Sequence, residues 1–147
     1  MQFAVGQIAA STGMKGIADT GFLLAFCNRR DLHFPWAHAL AERVHEPLLT
    51  CEAVLAETAF HLKNSGLVLR LVETGLVRLA FELKSNLPEL AALAQRYAGR
   101  QPDLADLCLI RMSELNPQHM VITVDGDFLI YRRNRRETIP VIMPRSD

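Results

Sequence analysis

"GIADTGFLLAF", residues 16–26, decides the fold: a short apolar run ends in one aspartate, Asp19, followed by Thr20-Gly21 and apolar residues at helical spacing. This is the pattern of a buried strand that turns directly into a helix. A carboxylate at such a turn has two readings. It caps the helix, which Asp does for about 1 kcal/mol, or it is a ligand held at the end of a strand. Thr20 can cap as well, which frees Asp19 for the second role. The choice depends on whether other acids occupy matching places downstream.

Working outward, strand and helix patterns alternate. Residues 16–19 read as a strand, 20–28 and 33–45 as helices, and "PLLT" at 47–50 as a second strand. Helices are expected over 51–63 and 66–73, a strand in "LVRLA" at 76–80, and helices over 87–98 and 103–115. "HMVITV" at 119–124 reads as a buried strand, 126–133 as a short helix, and "IPVIM" at 139–143 as a last strand. Such alternation predicts an α/β fold: a three-layer α/β/α sandwich around a mostly parallel sheet of four or five strands. Residues 15–147 form one domain in this reading, and 1–14 a short extension whose lack of a cationic start argues against a signal peptide.

The bulk composition excludes several classes. With 147 residues, half of them hydrophobic and 22% charged, the chain suits one soluble domain with a sizeable core. No apolar run approaches the roughly 18 residues of a membrane span, so no membrane partner is expected. Cys27, Cys51 and Cys108 are odd in number and lack a C-x-x-C spacing, which argues against a disulfide framework or a zinc site and fits a reducing cytoplasm. Net charge is zero, but thirteen of the sixteen basic residues are arginine, and Arg132, Arg133, Arg135 and Arg136 crowd "RRNRR".

In a doubly wound sheet, ligands bind beyond the carboxyl ends of the strands, where strand order reverses. The residues following each strand are therefore the ones to inspect. Asp19 follows the first strand; Asp125, with Asp127 two residues on, follows "VITV". Asp106 lies in "DLADLCLIRMSEL", a helix apolar on nearly every side. A lone charge there costs several kcal/mol unless it is paired or bound to metal. Asp103 shares its face, although a first-turn acid is also explained by the helix dipole. Glu57 in "VLAETAFHL" shares a face with Val54 and His61 and points toward the core layer. Clustered carboxylates repel and raise one another's pKa. A hard divalent cation relieves that repulsion, and an all-oxygen set selects Mg²⁺ or Mn²⁺ over zinc. Phosphodiester hydrolysis uses such a cation, singly or as a pair.

The order of these motifs resembles the PIN-domain family and, within it, the VapC-like toxins of toxin–antitoxin pairs. "IADTGFLLAF" is similar to the family's opening Asp-Ser/Thr and apolar helix. "VLAETAFHL" resembles its glutamate helix, "DLADLCLIRMSEL" the buried helix bearing the third acid, and "VITVDGDFLIYRR" its Thr-x-Asp-x-x-Phe block. The resemblance spans about residues 15–143 and implies a flavodoxin-like parallel sheet and Mg²⁺- or Mn²⁺-dependent endoribonuclease activity. It also implies a homodimer and a cognate antitoxin. It assigns Asp19, Glu57, Asp106 and Asp125 as the catalytic, metal-binding acids, Asp103 and Asp127 as supplementary ligands, and Thr20 and Thr123 as supporting residues. The arginines of "RRNRR" follow the fourth acid, where they would meet RNA phosphates; a solvated basic helix end is the alternative. Trp36 and Phe34 are candidates to stack a base or to pack the core.

Two other α/β functions fit poorly. A receiver domain needs an aspartate after the third strand and a late lysine, whereas Phe81-Glu82 follow that strand and the last lysine is Lys84. An Asp-x-Asp phosphatase is excluded by Gly21. A PIN-like module that binds RNA or protein without cutting is the remaining alternative.

Overall fold

The computed structural model describes residues 13–145. Five strands form one sheet: β1 (Gly16–Ala18), β2 (Leu48–Thr50), β3 (Val77–Leu79), β4 (Met120–Ile122) and β7 (Val141–Ile142). Their order is β3-β2-β1-β4-β7, and every pairing is parallel. Parallel neighbours need crossovers, and helices supply them: α1 (Thr20–Cys27), α2 (Phe34–Ala41), α3 (Glu52–Leu62), α4 (Ser65–Glu73), α5 (Leu87–Arg96) and α6 (Leu104–Leu115). Helix α1 packs on α2 and α3, α3 on α4 and α6, and α5 on α6. The result is the expected three-layer α/β/α sandwich.

The core explains why the short strands hold. Ile17, Leu48, Val121 and Ile122 are buried with Phe22 and Leu23 of α1 and Leu109, Ile110 and Met112 of α6. These strands are buried on both faces, and so read as continuous apolar runs rather than alternating ones. Chain order reverses between β1 and β4: β2 and β3 extend to one side, β4 and β7 to the other. This switch point is set by the register Ala18↔Ile122 and sealed by the Asp19 amide donating to the Ile122 carbonyl at 3.1 Å. Asp19 and Thr123 therefore leave the sheet side by side. Gly21 lets α1 approach that edge: a Cβ there would lie 2.3 Å from a methyl of Val124.

Two sequence expectations change. The helix expected over 33–45 stops at Ala41, and Met14 bridges Val44 in parallel; most of the expected 1–14 extension lies outside the described residues. The helix expected over 126–133 is only a 3-10 turn, Gly126–Leu129. It is followed by a two-stranded antiparallel hairpin, β5 (Arg132–Arg133) and β6 (Glu137–Thr138). The hairpin's tight turn places Asn134 and Arg135 in the left-handed region, with φ of 48° and 75°. No described helix is long and apolar enough to cross a membrane.

Candidate active site

Each acid is placed by the element that ends or begins beside it. Asp19, between β1 and α1, is itself the N-cap of α1, and Thr20, inside the helix, does not replace it as cap; Asp19 Oδ1 accepts from the Thr20 amide at 2.6 Å and its Oδ2 from the Thr123 hydroxyl at 2.6 Å. Thr20 donates its own hydroxyl to Glu57 Oε1 at 2.5 Å, which ties α3 to the start of α1. Thr123 Oγ1 accepts from the Asp125 amide at 2.9 Å, and Asp125 Oδ1 from the Asp127 amide at 2.9 Å. The two threonines thus link three of the acids into one chain of hydrogen bonds, Glu57–Thr20–Asp19–Thr123–Asp125, across the switch point.

Asp106 approaches from α6. Its amide donates to Asp103 Oδ1 at 2.8 Å, so Asp103 is the N-cap of α6, one residue before the first turn in which the helix-dipole reading puts it. Its own Oδ2 accepts from the Tyr131 hydroxyl at 3.3 Å. Asp127 stands at the rim, where Oδ1 takes a salt bridge from Arg100 at 3.0 Å. Among the described residues, no lysine or arginine reaches Asp19, Glu57, Asp106 or Asp125 within salt-bridge distance.

Electrostatics ties the acids together as well. Burial pushes the Asp19 carboxyl up to about 6; the Thr123 and Thr20 hydrogen bonds oppose this, and the charges of Asp125 and Glu57 add to it. Asp106 is pushed up to about 7, by burial first and then by Asp103, Asp19 and Asp125. Like charges close enough to raise one another, with no described basic side chain paired to them, suit an all-oxygen divalent cation site. The acids are not yet a closed cage. Among the described residues, no three His, Cys, Asp or Glu side chains are gathered into a ligating set. The donor chemistry, carboxylate oxygens of Asp19, Asp106 and Asp125, fits Mg²⁺ or Mn²⁺.

The basic cluster is not where its sequence position implies, and this corrects the expectation for Arg133. Arg133 is buried: its guanidinium donates to the Ser113 carbonyl and hydroxyl, both at 3.0 Å, to the Pro117 carbonyl at 3.2 Å and to Glu137 at 2.6 Å. It is a strut of the fold and is not free for phosphate. Arg132 folds back on the carbonyls of Leu129, Ile130 and Tyr131. Arg135 and Arg136 are exposed, but the hairpin tip is held to α6 by the Asn134 amide donating to Glu114 at 2.7 Å. Glu114 lies eight residues beyond Asp106 in the same helix, about 12 Å along its axis. The guanidinium that does adjoin the acids is that of Arg100. Sequence reasoning missed it because Arg100 stands outside every motif, just before Pro102-Asp103.

Trp36 meets Phe22 edge-on at 5.9 Å and Phe34 leans on His38, so both serve packing. Beside the acids, over the ends of β2 and β3, an apolar pocket of about 280 Å³ is lined by Cys51, Phe81, Leu104 and Cys108 among others. A family model described as PIN domain matches residues 17–134. No curated protein matches the chain.

Proposed function

The chain belongs to the PIN-domain family, a family of nucleases, and on that premise we propose that it is a Mg²⁺- or Mn²⁺-dependent endoribonuclease. In this reading it is the toxin of a type II toxin–antitoxin pair, acting in the cytoplasm as a homodimer restrained by a cognate antitoxin. The observation that carries the nuclease reading is the set of acids at the switch point, with Asp19 buried and Glu57 and Asp125 half-buried, joined through Thr20 and Thr123 and matched by no basic side chain among the described residues.

Asp19, Asp106 and Asp125 hold the cation in this proposal, with one or two ions bound, and Asp127 assists from the rim. Asp103, already engaged as helix cap, has a lesser part. When bound, the cation supplies Lewis-acid activation of water and neutralises charge on the phosphate. The chain's own contribution is to fix the ligands before substrate arrives: Thr123 orients Asp19 and the backbone of Asp125, and Thr20 orients Glu57. Glu57, bonded through one oxygen, keeps the other to accept a proton from the attacking water. Arg100 meets the phosphate next to the scissile bond, and Arg135 and Arg136 meet the RNA backbone farther along, where contacts add affinity without sequence preference.

The test is cleavage of end-labelled single-stranded RNA with Mn²⁺ present or chelated. Wild type is expected to cut only with Mn²⁺, and Asp19→Asn to lose at least about a hundredfold in rate, the order of one essential electrostatic group. Equal rates in the two proteins overturn the proposal. The open arrangement of the acids favours one alternative, a PIN-fold module that binds RNA or protein without cutting. It predicts retained RNA binding and no cleavage at any Mn²⁺ concentration.

A further inference from the structure

Tyr131 has no part in the chemistry above, and it sits where two acid-bearing segments meet. Its side chain is fully buried, although the tyrosine ends the short turn that begins at Asp125. Its amide donates to the Asp127 carbonyl at 3.0 Å, closing the segment that carries Asp125 and Asp127. Its ring meets Phe128 edge-on at 5.3 Å and Tyr97 at 5.0 Å, which leaves the ring little freedom. Its hydroxyl donates to Asp106 Oδ2 at 3.3 Å, across to a different element, α6.

From this geometry we propose that Tyr131 is a positioning residue for the cation site: it fixes the Asp106 carboxylate and holds α6 in register with the Asp125 segment. The inference rests on the cation-site reading given above. The chemistry is that of a hydrogen-bond donor behind a metal-binding carboxylate. A donor on Oδ2 restricts rotation of the carboxylate and leaves Oδ1 the freer oxygen to face a cation. The ring transmits that constraint because it is held between the fully buried Phe128 and the half-buried Tyr97. Such partners of metal ligands are worth about 10- to 100-fold in metal affinity. The bland explanation is that a buried tyrosine hydroxyl needs an acceptor and Asp106 supplies one. The two explanations separate on metal binding, because hydroxyl satisfaction alone has no bearing on a cation.

Tyr97 supplies the control. Its hydroxyl accepts from the Arg132 amide at 2.8 Å and touches no acid, while its ring belongs to the same aromatic group. Tyr131→Phe and Tyr97→Phe each delete one hydroxyl and keep the ring. Mn²⁺ is titrated by calorimetry into full-length wild type and both variants, without RNA, and the metal-free melting temperature of each is recorded to verify folding. Tyr131→Phe is expected to bind Mn²⁺ about tenfold more weakly, with Tyr97→Phe within about twofold of wild type. Unchanged or tighter binding by Tyr131→Phe overturns the inference, as does an equal loss in both variants, which would mark an effect of packing. Absence of Mn²⁺ binding in wild type fails the cation-site reading itself and is thereby distinguished.

Discussion

Asp106 lies in the first turn of a buried helix with Asp103, Asp19 and Asp125 in electrostatic reach, and its carboxyl is held up to about 7. Asp19 is held up to about 6. Both start from an ordinary value of 3.8, so between about 4 and 7 the folded chain binds more protons than the unfolded one. Stability of the metal-free protein therefore falls as pH rises through that window. Asp106→Asn removes the charge and keeps an acceptor for Tyr131. Calorimetric scans without metal should show this variant melting about 3 °C above wild type at pH 8, with the difference gone at pH 4. A wild-type melting temperature flat from pH 4 to pH 8 would contradict the raised carboxyls of Asp19 and Asp106, which burial first and the neighbouring acids second hold up. At this scale the sequence was informative for a physical reason: a carboxylate inside an apolar run is conspicuous. Arg100 and Tyr131 were not legible, because an arginine in a polar loop and a tyrosine after an apolar triplet have ordinary surface and core explanations.

The β5–β6 hairpin is the element that the sequence concealed. "DFLIYRRNRR" reads as a helix that ends in charge, and only Asn134 signals a tight turn. Two successive left-handed residues other than glycine are uncommon. They persist here because tertiary contacts outweigh local preference: Arg133 reaches into α6 and Glu114 captures the Asn134 amide. Arg133→Ala would leave the Ser113 and Pro117 carbonyls without their donor, and is expected to lower the unfolding free energy by about 2–3 kcal/mol. Arg135→Ala and Arg136→Ala should stay within about 0.5 kcal/mol. Urea denaturation of the three variants checks this, and a small effect of Arg133→Ala would restore that residue as a surface phosphate contact. The central elements were legible by contrast, since continuous apolar runs such as "VITV" and "LLT" mark strands covered on both faces.

Across the whole molecule, the candidate site depends on a meeting that no local pattern encodes. Asp19 and Thr123 stand 104 residues apart in sequence and 2.6 Å apart in space, because β1 and β4 are neighbours where the chain order reverses. Alternating strands and helices predicted the layers and the parallel sheet, but strand adjacency depends on how the helices pack, as α6 does against β1, β4 and α3. That adjacency gathers acids from four segments on one edge of the sheet. The most direct test is anomalous scattering from crystals of the wild-type protein soaked in Mn²⁺. The account predicts a manganese peak ligated by carboxylate oxygens of Asp19, Asp106 and Asp125. Well-ordered crystals in which those three carboxylates diverge, with no manganese between them, would contradict it.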